Sequence, residues 1–334
     1  MLRFIARRLV FMVFVLYGMT LITFVLTHVV PADPIRLLAG PHATSSEIAT
    51  LRHQYGMDQS LPRQYVVYLG NLVHGDLGIS LTDRHPVRDD IQQFFPATLE
   101  LVLCSLILAV GIGVPLGVYA AMGRGRLADL LIRLTAIMGV SMPVFWLGLV
   151  LQLIFFKQLG WLPLDGRLEI LDTPPNTVTG LYLVDALVTG DFSILGPVLL
   201  HLLLPAATLA LGSLVLITRM TRASVLEALA QDYIRTARAK GVRNRRIVFR
   251  HALKNAITPT LTVIGLQFGY LLSGDFLVET IFNWPGIGYY AVNAISNLDF
   301  PGIMGVTLVV SIIYVLANLV VDVLYVAIDP RVEY

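Results

Sequence analysis

Six stretches of this chain are long and apolar enough to cross the hydrocarbon core of a bilayer, which takes about 20 residues as a helix. They are residues 9–29, 98–121, 134–156, 195–218, 256–279 and 303–328. In lipid every backbone amide needs an internal partner, so such runs fold as helices or not at all. The expectation is an all-α membrane protein with six transmembrane helices. Composition agrees: 14% of residues are charged and mean hydropathy is +0.75, where soluble domains carry about 25% charged residues. A net charge of +2 gives no reason to expect a nucleic-acid partner. Cys104 is the only cysteine and lies in an apolar run, so no intrachain disulfide forms. The first run follows Arg3, Arg7 and Arg8 but is too long for a signal-peptide core, so it is expected to remain as the first span. Pro205 and Pro259 fall inside the fourth and fifth runs, where membrane helices tolerate them and kinks are expected.

Orientation follows from the basic residues. With the N-terminus inside, 17 of the 24 Lys and Arg fall in inside segments, ten of them between Arg219 and Lys254. Five of the other seven lie in the long stretch between the first two runs, where charge has little influence on topology. Both termini are therefore expected to be cytoplasmic.

Residues 232–256 carry eight Lys and Arg, and a topology anchor attracted to anionic headgroups is the plainest explanation. The segment is more ordered than an anchor requires. Phe249, Leu253, Ala256 and Ile257 share one helical face, while Arg246, Arg250 and Lys254 share another. The pattern predicts a short helix from about Asp232, stopped by Gly241, and a second, capped by Asn244, running into the fifth span. Such a knuckle suits a groove in another protein.

At this point the chain resembles a family. "DYIRTARAKG" (232–241), followed by "HALKNA" (251–256) and Pro259, resembles the cytoplasmic coupling loop of the membrane subunits of bacterial ABC importers, in the branch that moves peptides and nickel. The likeness extends over nearly the whole chain through "HGDLGIS" (74–80), "PATLEL" (96–101), "SMPVFWLG" (141–148), "RMTRASVLE" (219–227), "VETIFNWPGIG" (278–288), "NLVVDVLY" (318–325) and "DPR" (329–331). It is strongest for the first permease subunit of dipeptide-type systems. Two positions depart: Arg235, Thr236 and Ala237 stand where the general motif has Glu-Ala-Ala, and Ala32 replaces a glycine after the first span.

The resemblance implies a type I importer permease with six helices. Its partners would be a second related permease in a heterodimer, two cytoplasmic ATPase subunits that hold ATP and Mg, and a periplasmic or lipid-anchored solute-binding protein, all within membrane lipid. It makes Asp232, Tyr233, Ile234, Arg235, Thr236, Ala237, Arg238, Ala239, Lys240 and Gly241 the coupling helix. Tyr233, Ile234 and Ala237 would supply apolar contact to the ATPase, and Arg235, Arg238 and Lys240 would meet its acidic residues. Alternatively, each arginine simply faces solvent. No cofactor is expected in this chain, because no Gly-Lys pair occurs and so no phosphate-binding loop. Neither H-E-x-x-H, paired cysteines nor G-x-S-x-G is present, so no metal or catalytic residue is expected.

The expected organisation is a first span over residues 1–30, an outer segment with interfacial helices over 31–97, and a five-helix core over 98–334 whose coupling loop covers about 219–255. Helical periods at 46–58 and 62–73, with Tyr65, Leu69, Leu72 and Val73 on one face of the second, predict the interfacial helices. Trp284, in "NWPGIG", is expected at headgroup depth, or else in a loop lining a gate. Ionisable and polar residues within spans are pathway candidates: His201, Gln267, Tyr270, Ser273, Asp275 and Glu279, with Asp275 and Glu279 pairing two carboxylates and Asp322 near an interface. A satisfied core histidine is the commoner reading of His201. The expected function is passage of di- or oligopeptides from the binding protein, driven by ATP elsewhere. A nickel or glutathione permease of the same family is the alternative. A stand-alone secondary transporter would require inverted repeats and a midplane ion site, and neither is visible.

Overall fold

The computed structural model describes residues 2–29, 34–40, 42–54, 56–123, 125, 127, 129–130, 132, 142–272 and 276–328. Among these the regular structure is helical, apart from one isolated antiparallel bridge between Ile79 and Pro86. Leu2–Val29 forms α1, followed by the short helices α2 (Pro34–Ala39), α3 (Ser45–Gln54) and α4 (Leu61–Val73). Then come α5 (Val87–Met122), α6 (Val144–Leu151, continuing as a π-helix over Gln152–Gln158), α7 (Tyr182–Thr189) and α8 (Leu195–Leu229). The chain continues through α9 (Asp232–Ala239), α10 (Asn244–Arg246), a π-helical segment (Ile247–Ala252) and α11 (Leu253–Leu272). It closes with α12 (Phe276–Ile281), α13 (Ile287–Ser296) and α14 (Phe300–Ile328).

Among the described residues, four helices are long and apolar enough to span a membrane: α1, α5, α8 and α14. The apolar helix over Val144–Gln158 is shorter. In α11, Thr258, Thr260, Thr262 and Gln267 dilute an otherwise apolar run. Two of the long helices outrun their apolar stretches. α5 begins at Val87 instead of 98, because Pro86 opens it, Asp89 and Asp90 sit at the positive end of its dipole, and Val87 and Ile91 are buried. α8 continues past 218 to Leu229, because Val225 and Ala228 still have an apolar cluster to join.

The chain forms two compact units, and α5 and α14 contribute residues to both. The smaller comprises residues 1–98 and 285–313. Its core gathers Val87, Ile91, Ile287, Tyr290 and Val306. Asp299 staples it by accepting hydrogen bonds from Ser80 Oγ (2.5 Å) and the Leu81 amide (3.0 Å). Tyr65 on α4 is buried against Phe24 of α1 and hydrogen-bonds Thr20 Oγ1 at 3.0 Å, as the helical period anticipates for that residue. Val73, expected on the same face, is exposed, because α4 ends there.

The larger unit comprises residues 99–284 and 314–334, with α8 at its centre. Ala109 of α5 and Ala210 and Ile217 of α8 form a core with Val263 and Ile264 of α11. Small residues allow this approach. A Cβ on Gly117 would lie 2.7 Å from the Thr218 carbonyl oxygen and from Thr221 Cβ, so only glycine permits α5 to sit this close to α8. Tight packing of small residues replaces the hydrophobic driving force that lipid removes.

Candidate functional site

The basic loop is built as a docked helix with an open face. α9 starts after the extended residue Gln231, with Asp232 in its first turn, where an acid suits the helix dipole. Ile234 is fully buried and Ala237 half-buried. They insert among Val118 and Ala121 of α5, Val225 and Ala228 of α8, and Ile247, Val248, Ala252 and Ala256. This differs from the expectation that Ile234 and Ala237 would be free to contact a partner: the helix needs those two side chains to hold itself to its own subunit. Tyr233 stays exposed, as do Asp232, Arg235, Thr236, Arg238, Ala239 and Lys240. Gly241 closes the helix with φ +74°, its amide donating to Arg238 O at 2.9 Å and the Val242 amide to Ala237 O at 3.2 Å. A Cβ there would meet nothing within 4 Å, so backbone conformation alone demands glycine.

The next turn departs from the sequence pattern twice. Arg243, not Asn244, occupies the cap position, and Asn244 is already helical. The π-helical turn over Ile247–Ala252 then widens the spiral and shifts its register. Ile247, Val248, Ala252 and Ala256 therefore face inward, while Phe249, assigned to the apolar face by a uniform 3.6-residue period, is exposed. One cation is committed: Arg222 on α8 grips the buried Asp129 with two hydrogen bonds of 2.7 and 2.9 Å. Arg235 makes only an exposed pair with Asp232 at 3.2 Å, of little energetic weight. Arg238, Lys240, Arg243, Arg245, Arg246, Arg250 and Lys254 are exposed and form no ion pair among the described residues. This surface can hold an acidic partner at no cost in internal contacts.

Three of the polar residues assigned to the spans line two cavities in the larger unit. Gln267 and Tyr270 line one of about 270 Å³ together with Met142, Val144 and Thr208. Gln267 accepts a hydrogen bond from Ser213 Oγ at 2.8 Å, a neighbour on α8 that sequence reasoning did not single out. Tyr270 is exposed. His201 instead faces a pocket of about 390 Å³ with Glu169 and Asp172. It is buried, with Nδ1 donating to Pro197 O at 2.9 Å. Glu279 is buried in α12, and its carbonyl accepts from the Trp284 amide at 2.8 Å. Ser273 and Asp275 lie outside the described residues, as does the side chain of Asp322, so the expected carboxylate pair has only Glu279 within them.

Trp284 is neither a headgroup anchor nor exposed on a loop. It is fully buried, among the largest enclosed side chains of the protein. The reason is a buried ion pair: Arg167 donates from Nη2 to Glu100 Oε2 at 2.5 Å and to Gly180 O at 3.1 Å. Its guanidinium sits 3.5 Å over the Tyr182 ring and 5.7 Å from that of Trp284. Glu100 Oε1 also accepts from the Leu183 amide at 2.8 Å. Asp185 orders the same loop by accepting from the Thr179 amide (2.7 Å), Thr179 Oγ1 (2.6 Å) and the Gly180 amide (2.9 Å). Burial pushes its carboxyl up, but the hydrogen bonds from Thr179 and Gly180 outweigh burial and hold it below the usual carboxylate range. Glu100 was visible in the sequence as a carboxylate inside an apolar run, the one signal that this cluster offered.

Among the described residues, one group could gather around a metal: donor atoms of Asp83, His85 and Asp90 lie within 4.8 Å of one another. Both carboxylates already have structural work, Asp83 accepting from the His85 amide at 3.0 Å and Asp90 from Tyr290 OH at 3.0 Å. Those bonds explain the cluster as a loop closure.

A surface helix is thus packed against two long apolar helices, and comparison with known proteins says what such a chain is similar to. Residues 113–334 match the family model described as a binding-protein-dependent transport system inner membrane component, and residues 1–102 match that of the N-terminal part of such a component. The chain is 48% identical to a protein described as a probable D,D-dipeptide transport system permease of Escherichia coli, covering 96% of this chain and 94% of that one. It is 44% identical to a di/tripeptide transport system permease of Pseudomonas aeruginosa, over 100% and 99% of the two chains. Identity to a glutathione transport system permease of Escherichia coli is 39%, over the full length of both. The chain therefore belongs to the family of binding-protein-dependent transport system inner membrane components, multi-pass proteins of the bacterial inner membrane.

Proposed function

We propose that this chain is the permease subunit of an ATP-driven importer that passes di- or oligopeptides from an external solute-binding protein across the inner membrane. The observation that carries this reading is the docked coupling helix: Ile234 holds α9 to its own subunit while the charged face of α9 stays open, with only the exposed Arg235–Asp232 pair on it. That is what a mechanical joint to a cytoplasmic ATPase requires, and the ATP and Mg would be held there. Higher identity to the two relatives named for di- and tripeptides than to the one named for glutathione favours peptides. In the full assembly a second, related permease would complete the pathway, with Gln267, Tyr270, His201 and Glu279 as residues of this chain along it, and residues 232–241 would dock in the ATPase.

The experiment is uptake by proteoliposomes. Vesicles holding both permeases, the ATPase subunits and binding protein should accumulate dipeptide only with ATP, and this chain alone should neither hydrolyse ATP nor take up peptide. Uptake by this chain alone on an ion gradient would replace the importer with a secondary transporter.

The proposal includes six spans with both termini cytoplasmic, supported by the concentration of Lys and Arg between Arg219 and Lys254. A cysteine at Asn176 should react with an impermeant maleimide on intact spheroplasts, and one at Asn244 only after permeabilisation. The reverse pattern would invert the topology.

A further inference from the structure

The loop between α6 and α7 has a fixed base and a bare tip. At the base, the Gly166 amide donates to Phe282 O at 2.9 Å, Arg167 is more than nine-tenths buried on Glu100, and Leu168 packs against Ala186, Ile194 and Val198. Two residues on, burial is gone. The Asp172 amide donates to Glu169 O at 3.0 Å, which closes a four-residue turn with Ile170 and Leu171 at its corners. Their exposures are 99% and 95%. Turn corners ordinarily go to Gly, Pro, Asn, Asp or Ser, whose backbone or side chain favours the bend. Isoleucine prefers extended backbone, and neither residue gains anything from water, so the turn itself accounts for neither.

An anchored turn that offers two large apolar side chains is built to be covered, and the charges around it say by what. Glu169 and Asp172 flank the pair, and together with Trp161, itself 67% exposed, they line a recess of about 390 Å³ beside it. Arg167 is the only Lys or Arg between Lys157 and Arg219, and Glu100 takes it. Hydrocarbon is the poorer cover, because sinking Ile170 and Leu171 into it draws down the carboxylate on either side. A protein surface with an apolar hollow rimmed by Lys and Arg suits both the pair and its flanks. We propose that residues 169–172 form a docking knob for the external solute-binding protein, with Ile170 and Leu171 entering such a hollow. This rests on the importer reading above, which supplies the partner and puts the loop outside. Because the base of the turn is already ordered, docking forfeits little backbone freedom.

The test replaces Leu171 by the photo-crosslinking residue p-benzoylphenylalanine in the complete transporter in nanodiscs, with purified binding protein added. Irradiation should join this chain to the binding protein. An adduct with the second permease or with lipid instead, or no adduct, overturns the proposal. Ile170→Ser combined with Leu171→Ser should raise the concentration of binding protein that half-saturates ATPase stimulation at least tenfold. Stimulation at saturation and co-purification of the other subunits should stay as in the wild type. Glu169→Lys combined with Asp172→Lys should also raise the half-saturating concentration, most strongly at low salt. The proposal is overturned if the serine pair half-saturates as the wild type does, if it loses the other subunits, or if the lysine pair binds as well or better. ATP-driven peptide uptake by the wild type, measured in the same preparation, separates the two readings. Crosslinking and the serine effect without uptake remove the importer alone, and normal uptake with neither removes the knob alone.

Discussion

Replacing Ile234 by Asp should release α9 from the permease and reduce recovery of ATPase subunits on co-purification at least tenfold, with membrane insertion unchanged. Ile234 is fully enclosed by side chains from α5, α8 and the π-helical turn. Truncating such a residue costs about 2–5 kcal/mol, and a carboxylate in its place must either stay protonated or leave. A helix of eight residues has no independent stability to set against that loss. Gly241→Val makes the graded comparison. It strains a residue at φ +74° by about 1 kcal/mol or more without meeting any neighbour, so it should weaken association less than Ile234→Asp. Arg245→Gln, which removes one of several exposed cations, should do little. Hydrogen exchange over residues 232–240 reports the release directly. Wild-type association in Ile234→Asp, with loss in Arg245→Gln, would make the loop a charge anchor after all.

Breaking the Glu100–Arg167 pair should be the most damaging change elsewhere in the larger unit. Both side chains are at least nine-tenths buried, so Glu100→Gln leaves a guanidinium enclosed without a counter-charge, between the Tyr182 and Trp284 rings. Removing one member of a buried pair costs about 3–5 kcal/mol, whereas replacing both by apolar groups of similar size is often neutral. Glu100→Gln and Arg167→Met should each lower the thermal stability of the purified protein and shift Trp284 emission toward that of an exposed indole. The double variant Glu100→Leu with Arg167→Met should recover at least half of the loss. If the double variant is as unstable as the two single losses combined, the pair does not act as a unit and loop packing alone holds Trp284 in place.

Much of this protein is legible in its residues, and for a physical reason. Hydrocarbon imposes length and apolarity on any segment that crosses it, and so four of the six long apolar runs correspond to α1, α5, α8 and α14. Turn chemistry is local too: Gly241 adopts the positive φ that a stop after α9 needs. Where the reading erred, the deciding contact lay far along the chain or in a change of helical period. Phe249 was assigned inward because a uniform period has no place for the π-helical turn at 247–252. Ile234 and Ala237 were assigned outward because the coupling motif says that a helix docks, without saying that it must first dock on its own subunit. Trp284 was placed at the headgroups because aromatic residues near span ends usually sit there, yet Arg167, more than a hundred residues earlier, draws it into a buried cluster.

The candidate pathway shows the same division. Residue type and position marked His201, Gln267, Tyr270 and Glu279 as polar groups within spans, which is a one-dimensional property. Which of them share a cavity is a question of helix rotation and loop path. Tertiary packing set Gln267 beside Ser213 and sent His201 to Glu169 and Asp172, two loop residues that no periodicity could single out. The sequence by itself determined the class of protein, its long helices and the place of its cationic loop, because solvent transfer and backbone conformation act on each residue where it stands. Only the tertiary structure decided which faces are buried and which charges are paired, because those depend on partners that the chain brings together from far apart.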